Sequence, residues 1–349
     1  MKTWLIYGAY GYTGELITRL AVEKGLSPTL AGRDEQKLKS LASTYKLEYR
    51  AFDLNEPQQV SNHIKDAALV LNCAGPFAHT AKAMLGACIA SGVHYLDITG
   101  ELSVFESAAR KDEAAKKAGV MLMPGVGFDV VPSDCLAAFI KNKMPDAVKL
   151  TLAFKGTGGL SRGTATTMTE NIAEGGAARK EGKIIKVPAA WKSRFIDFGK
   201  GPQLCVTIPW GDVSTAFYST DIPDIEVYTT VSAAQQKAMV ASRYMGWLLG
   251  SSPVQHFLKK KIKSQKPGPD DGERMKGKSL LFAEAENSKG DKATARLSAP
   301  EGYTLTALTA VNIVTKVLNG NFKPGYMTPS MAYGADLIME IEGVERIDY

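Results

Sequence analysis

Over residues 1–143, short apolar runs rich in β-formers alternate with longer stretches whose apolar positions recur every three or four residues. That alternation is the signature of a parallel sheet covered by helices. It predicts strands at Thr3–Tyr7, Thr29–Ala31, Tyr49–Phe52, Leu69–Asn72, His94–Ile98 and Val120–Met123. Six strands with five crossovers suffice for a doubly wound domain. Between them, Glu35–Tyr45 places Leu38 and Leu41 on one helical face. Leu102–Ala118 reads as one helix closed by Gly119, with Lys116 and Lys117 in its last turn. Pro132, followed by Ser133 and Asp134, suits the first turn of another helix.

Beyond Pro145 the pattern changes. Val148–Phe154, Gln203–Ile208, Ile225–Val231, Ser279–Glu286 and Ala293–Leu297 read as strands joined by glycine- and proline-rich connections, which fits an antiparallel sheet. From Tyr303 to Leu318 an apolar helix returns. The expected fold class is α/β: an N-terminal Rossmann-type doubly wound parallel sheet over 1–143, then a second α+β domain with a mainly antiparallel sheet over 144–302. Residues 303–349 are expected to form a C-terminal helical segment that packs back on the first domain.

Length and composition agree with this division. A chain of 349 residues holds about two domains of ordinary size. With 45% hydrophobic and 22% charged residues it has material for sizeable cores, which argues against global disorder. A net charge of +6 is too thin an excess to argue for nucleic acid. Cys73, Cys88, Cys135 and Cys205 form no C-x-x-C pair, which favours reduced thiols in a cytoplasmic protein over a zinc knuckle or redox dithiol. The four histidines form no H-E-x-x-H, so no metal is expected. The opening apolar run ends at Gly8, too short for a signal-peptide core. Met239–Val254 is interrupted by Arg243 and Pro253, so no membrane span is expected. Lys259–Glu273 reads as a surface excursion. Its lysines are followed by Asp270, Asp271 and Glu273, which favours a solvated helix end over contact with an acidic partner or lipid headgroups.

The strongest chemical signal is Gly8-Ala9-Tyr10-Gly11-Tyr12-Thr13-Gly14, set between an apolar strand and a helix. Gly8 permits a tight turn, Gly11 lets backbone approach a pyrophosphate, and Gly14 allows close helix packing, with the phosphates at the helix N-terminus. At the end of the second strand, where an NAD-binding domain places an acidic residue on the ribose hydroxyls, the chain reads Ala31-Gly32-Arg33. A guanidinium there meets a 2′-phosphate, which favours NADP; the alternative is that Arg33 pairs with Asp34 or caps a turn. Asp53 ends the third strand, placed either to accept from the adenine amino group or to cap the helix after it. Cys73-Ala74-Gly75-Pro76 forms a small-residue loop at the carboxyl edge, where the nicotinamide end is expected, with Cys73 read as packing rather than as a nucleophile.

These stretches, with Tyr95-Leu-Asp-Ile-Thr-Gly-Glu101 and Pro124-Gly-Val-Gly-Phe-Asp-Val-Val-Pro-Ser-Asp134, resemble the saccharopine dehydrogenase-like oxidoreductases, including their trans-acting enoyl reductase branch. The resemblance continues less sharply to Thr328-Pro329. It implies an NADP-binding Rossmann domain, a second α+β domain that shapes a substrate cleft, and hydride transfer to or from a small molecule or acyl thioester. Arg162, Arg179, Arg194 and Arg243 are too scattered to form the carboxylate clamp that an amino-dicarboxylate requires. No tyrosine is followed by lysine at the Tyr-x-x-x-Lys spacing, so the proton machinery of short-chain dehydrogenases is absent. Carboxylates instead gather after the fifth and sixth strands at Asp97, Glu101, Asp129 and Asp134. Asp134 reads as a helix cap, while Glu101 and Asp129 are the candidate catalytic residues, each read as a general acid with a capping role as the equal alternative. The rival functions are an NADP sensor without turnover and an interaction protein that forms a homodimer through its second sheet.

Overall fold

The computed structural model describes residues 3–156 and 158–348. The chain divides into two compact units, Met1–Val131 with Tyr303–Ala332, and Pro132–Gly302 with Tyr333–Tyr349.

In the first unit, strands β1 (Thr3–Tyr7), β2 (Thr29–Gly32), β3 (Tyr49–Ala51), β4 (Ala67–Asn72), β5 (His94–Asp97) and β6 (Met121–Met123) are parallel, and strand Gly325–Tyr326 adds beside β6. Their order is β6-β5-β4-β1-β2-β3, the order of a Rossmann-type doubly wound sheet. Leu5, Ile6, Leu30, Leu69, Leu71, Tyr95 and Leu96 are fully buried, because strands covered on both faces expose neither side of the pleat. β1 pairs with β2 on one side and β4 on the other, so the direction of winding reverses at the end of β1.

Helices α1 (Tyr12–Glu23), α2 (Glu35–Tyr45), α3 (Pro57–Ile64), α4 (Phe77–Ser91), α5 (Leu102–Ala109) and α6 (Asp112–Ala118) fill the crossovers. The single helix expected over Leu102–Ala118 is therefore two, broken at Arg110–Lys111. The break has a reason in the tertiary structure. Asp112 opens α6, where its Oδ1 accepts from the Tyr326 N–H at 2.8 Å and so holds the added strand in place.

In the second unit, β7 (Ala147–Gly156), β8 (Gly176–Lys180), β9 (Lys183–Val187), β10 (Ser193–Asp197), β11 (Pro202–Thr207), β12 (Asp224–Thr230), β13 (Lys278–Asn287) and β14 (Lys292–Pro300) join with strand Glu345–Asp348 in one sheet. The β7–β12 pair is parallel and the other pairs are antiparallel. Ala153, Ile196, Phe198, Cys205, Tyr228 and Phe282 form a core cluster against it. β8, β9 and β10 are absent from the strands predicted above. β8 and β9 are only five residues each, and their turn is made by Glu181 and Gly182, both with positive φ (50° and 75°). The boundary between units falls after Val131, the first residue of helix Val131–Lys143, and the segment after Ala332 joins the second unit, where Glu345–Asp348 extends the sheet at β14. Among the described residues no helix is long and apolar enough to cross a membrane.

Candidate functional site

The site is built where β1 ends. Gly8 has φ of +81°, its N–H donates to Ala31 O at 2.8 Å, and Gly11 N–H closes the turn onto Gly8 O at 3.0 Å. A Cβ at Gly8 would lie 2.8–2.9 Å from the backbone and side chain of Ala74, so the loop after β4 rests directly on the glycine turn. A Cβ at Gly14 would come within 2.5 Å of Gly8 O, so Gly14 lets α1 approach the turn itself. Gly11 differs. A Cβ there would meet only Gly8 O, at 3.2 Å, and the rest of its surroundings is open. Gly11 is also the N-cap of α1 and supplies no capping side chain.

Around this turn, the Tyr10 ring lies over Gly32, where an added Cβ would stand 2.7 Å from it. Tyr12 meets Tyr303 edge to face at 5.1 Å, and Thr13 is half-buried in the first turn of α1. Arg33 is exposed, and its guanidinium has no hydrogen bond or ion pair among the described residues. Asp34 instead caps α2 through Lys37 N–H at 3.1 Å and pairs with the Lys37 ammonium at 3.0 Å. Asp53 is exposed and accepts from Asn55 N–H at 2.8 Å, while the N-cap of α3 is Glu56.

Beyond β4, Cys73 N–H extends the pairing to Tyr7 O at 2.7 Å, and burial with the nearby Asp97 pushes its thiol up, out of nucleophile range. Ala74 is held at both ends, its N–H by Asn72 Oδ1 (3.0 Å) and its carbonyl by the Thr80 hydroxyl (2.7 Å). Gly75 and Pro76 lead into α4, with Pro76 at its N-cap. The two Glu101 carboxylate oxygens accept from the Phe77 and Ala78 N–H groups, each at 2.8 Å. A carboxylate taking two backbone donors at a helix N-terminus is favoured in its ionised form.

Behind these loops lies a buried network. Asp97 accepts from the Tyr95 hydroxyl (2.6 Å), Thr99 N–H (2.9 Å) and Gly125 N–H (2.9 Å), joining the loops after β5 and β6. Burial pushes the Asp97 carboxyl up to about 7 against the lowering effect of those donors. Asp129 packs on Gly100, where an added Cβ would stand 2.9 Å from its Oδ2. Burial first, and then the charge of Glu101, push Asp129 up to about 7. The structure thus brings Asp97, Glu101 and Asp129 together, whereas Asp134 is buried in the second unit, in the first turn of helix Val131–Lys143. Asn72 and Thr80 carry no chemical signature in the sequence, and only their contacts reveal that they hold the Ala74 loop.

The chain over residues 4–123 matches the family described as Saccharopine dehydrogenase NADP binding domain. That stretch lies within the first unit. The chain is 30% identical over 160 residues to a saccharopine dehydrogenase-like oxidoreductase of Mus musculus, covering 40% of this chain and 37% of that protein. A trans-acting enoyl reductase of Mycobacterium ulcerans is 28% identical over 140 residues, covering 37% and 33%. The chain thus spans about a third of the length of these relatives. The apo saccharopine dehydrogenase (L-Glu forming) of Saccharomyces cerevisiae shares the fold over the full length of both chains, at a TM-score of 0.66 and 14% identity. The first unit fits a dinucleotide by its own geometry: an open glycine turn, an α1 N-terminus without a side-chain cap, and an unengaged guanidinium one residue past β2.

Proposed function

We propose that the protein is an NADP-dependent oxidoreductase that moves a hydride to or from a small or acyl-type substrate. The observation that carries this reading is the glycine turn, open at Gly11 and followed by the free Arg33 at the end of the adjacent strand. NADP supplies the hydride chemistry when bound. In this reading the Gly8–Gly14 turn and the first turn of α1 receive the pyrophosphate, Arg33 the 2′-phosphate and Asp53 the adenine edge. The Cys73–Pro76 loop offers backbone and small side chains beside the nicotinamide. Of the two carboxylates, Asp129 is the one suited to hold a proton near neutral pH, and Glu101 serves as the ionised neighbour that helps keep it there. An acyl substrate of the enoyl-thioester type is supported by the likeness to the trans-acting enoyl reductase, and a cytoplasmic setting by four free cysteines.

Titration of NADPH and NADH against the wild type and Arg33→Ala tests the reading. A charge-assisted contact contributes roughly 1.5–3 kcal/mol, so NADPH should bind about ten-fold or more tightly, and Arg33→Ala should erase the preference. Equal affinities in the wild type would sink the cofactor assignment. Tight NADPH binding without oxidation across a panel of acyl thioesters and small carbonyl compounds would favour the sensor over the enzyme.

A further inference from the structure

The second unit carries an apolar and basic surface that the proposed chemistry leaves unused. Helices Ala233–Ser242 and Gly246–Leu249 bury no residue, and helix Ser252–Lys263 buries only Ile262. Its large apolar side chains nevertheless face outward: Tyr244 and Trp247 are each 80% exposed, Phe257 66% and Met245 44%. Polar ties hold it from the other side. Arg243 donates to the Ala189 and Ala190 carbonyls at 2.7 Å, Gln255 donates to Thr169 O at 2.8 Å, and Lys259 pairs with Glu170 at 2.6 Å.

Within the segment itself the charge has one sign, the neighbouring acids Glu170, paired with Lys259, and Glu174 coming from the chain before it. Between Glu226 and Asp270 the chain has seven Lys or Arg residues and no Asp or Glu. On helix Ser252–Lys263, Lys260 and Lys261 follow Phe257 by three and four residues and so share its face. The acids that follow in the sequence do not neutralise them. Glu273 takes Lys266 and Asp271 takes Arg274, while the Lys260, Lys261 and Lys263 side chains have no polar partner among the described residues.

We propose that this face docks on an anionic phospholipid surface. Exposed Trp and Tyr suit the level of the headgroups, where a ring meets the acyl boundary and its polar edge stays wet. The lysine stems lie along the apolar surface while their ammonium groups reach the phosphates. Charge complementarity favours lipid over a second copy of the chain. A two-fold contact would bring both unneutralised lysine clusters into one interface.

The test is co-sedimentation of the full chain with vesicles of phosphatidylcholine plus phosphatidylglycerol, against pure phosphatidylcholine. Binding is expected to the mixed vesicles, at least about ten-fold more strongly than to the neutral ones. Lys260→Gln with Lys261→Gln should weaken it by about 25-fold, roughly five-fold for each lysine. Tyr244→Ser with Trp247→Ser should weaken it with every lysine still present, and Trp247→Phe should abolish the blue shift of tryptophan emission on binding. All these side chains are exposed, so unchanged far-UV circular dichroism is expected for each variant. Equal binding to both vesicle types, indifference to the lysine substitutions, or self-association lost in the Trp247 variant would each overturn the proposal.

Discussion

Asp129→Asn should change how stability responds to pH, in a direction set by burial. The Asp129 carboxyl stands at about 7 in the fold against 3.8 in the unfolded chain, a rise that corresponds to about 4 kcal/mol at 1.36 kcal/mol per unit. Below about pH 4 both states hold the proton and the group is neutral in its effect on folding. Between about pH 4 and 7 the folded protein keeps a proton that the unfolded chain has released, so stability falls as pH rises; above about 7 the loss is complete. An asparagine side chain carries no such proton. The stability difference between the Asp129→Asn variant and wild type should therefore move in favour of the variant by up to about 4 kcal/mol across that window. Asp97, pushed up to about 7 as well, is present in both proteins and cancels in the difference. Urea unfolding of the two proteins at about pH 4.5, 6 and 7.5 gives the comparison. Repeating it in a Glu101→Gln background separates the causes: the gap should shrink, because the neighbouring charge is gone, and should persist, because burial is the larger cause. A difference that stays flat with pH would refute the argument and show that Asp129 ionises as an ordinary carboxylate.

Glu101→Ala strips the acceptors from both the Phe77 and Ala78 N–H groups and should lower stability by about 3 kcal/mol in urea unfolding, whereas Glu101→Gln keeps one acceptor and should lose about half of that. If the alanine variant is as stable as wild type, the carboxylate is not what caps α4. Gly14→Ala would set a Cβ 2.5 Å from Gly8 O and should shift the turn, lowering thermal stability as well as NADPH affinity. Gly11→Val should abolish NADPH binding while lowering the melting temperature far less than Gly14→Ala does, since its Cβ meets only Gly8 O, at 3.2 Å, and is otherwise in open space. Normal NADPH binding by Gly11→Val would remove the phosphate site from this turn.

Much of the first unit was legible in the chain because its determinants are local. Continuous apolar runs such as Trp4–Tyr7 and Leu69–Leu71 need cover on both faces, and glycine at position 8 permits the positive φ that starts the turn. The strand–glycine–helix sequence and the arginine just past β2 follow from positions a few residues apart. Strand and helix ends shifted by only a residue or two for the same reason. Roles that depend on chain distant in sequence were decided by the tertiary structure. Glu101 reads locally as the start of its own helix, yet its carboxylate caps a helix that begins 24 residues earlier, because β4 and β5 are neighbours in the sheet. Asp97 becomes the knot joining the loops after β5 and β6 only once Gly125 folds beside it, and Asp129 rises toward neutrality only where burial and Glu101 coincide. The break before Asp112 likewise answers to Tyr326, more than two hundred residues away. On the second unit, hydrophobicity alone could not say that Tyr244 and Trp247 face outward. A sequence pattern specifies that a residue is apolar, and only the packing of the remaining chain determines whether anything covers it.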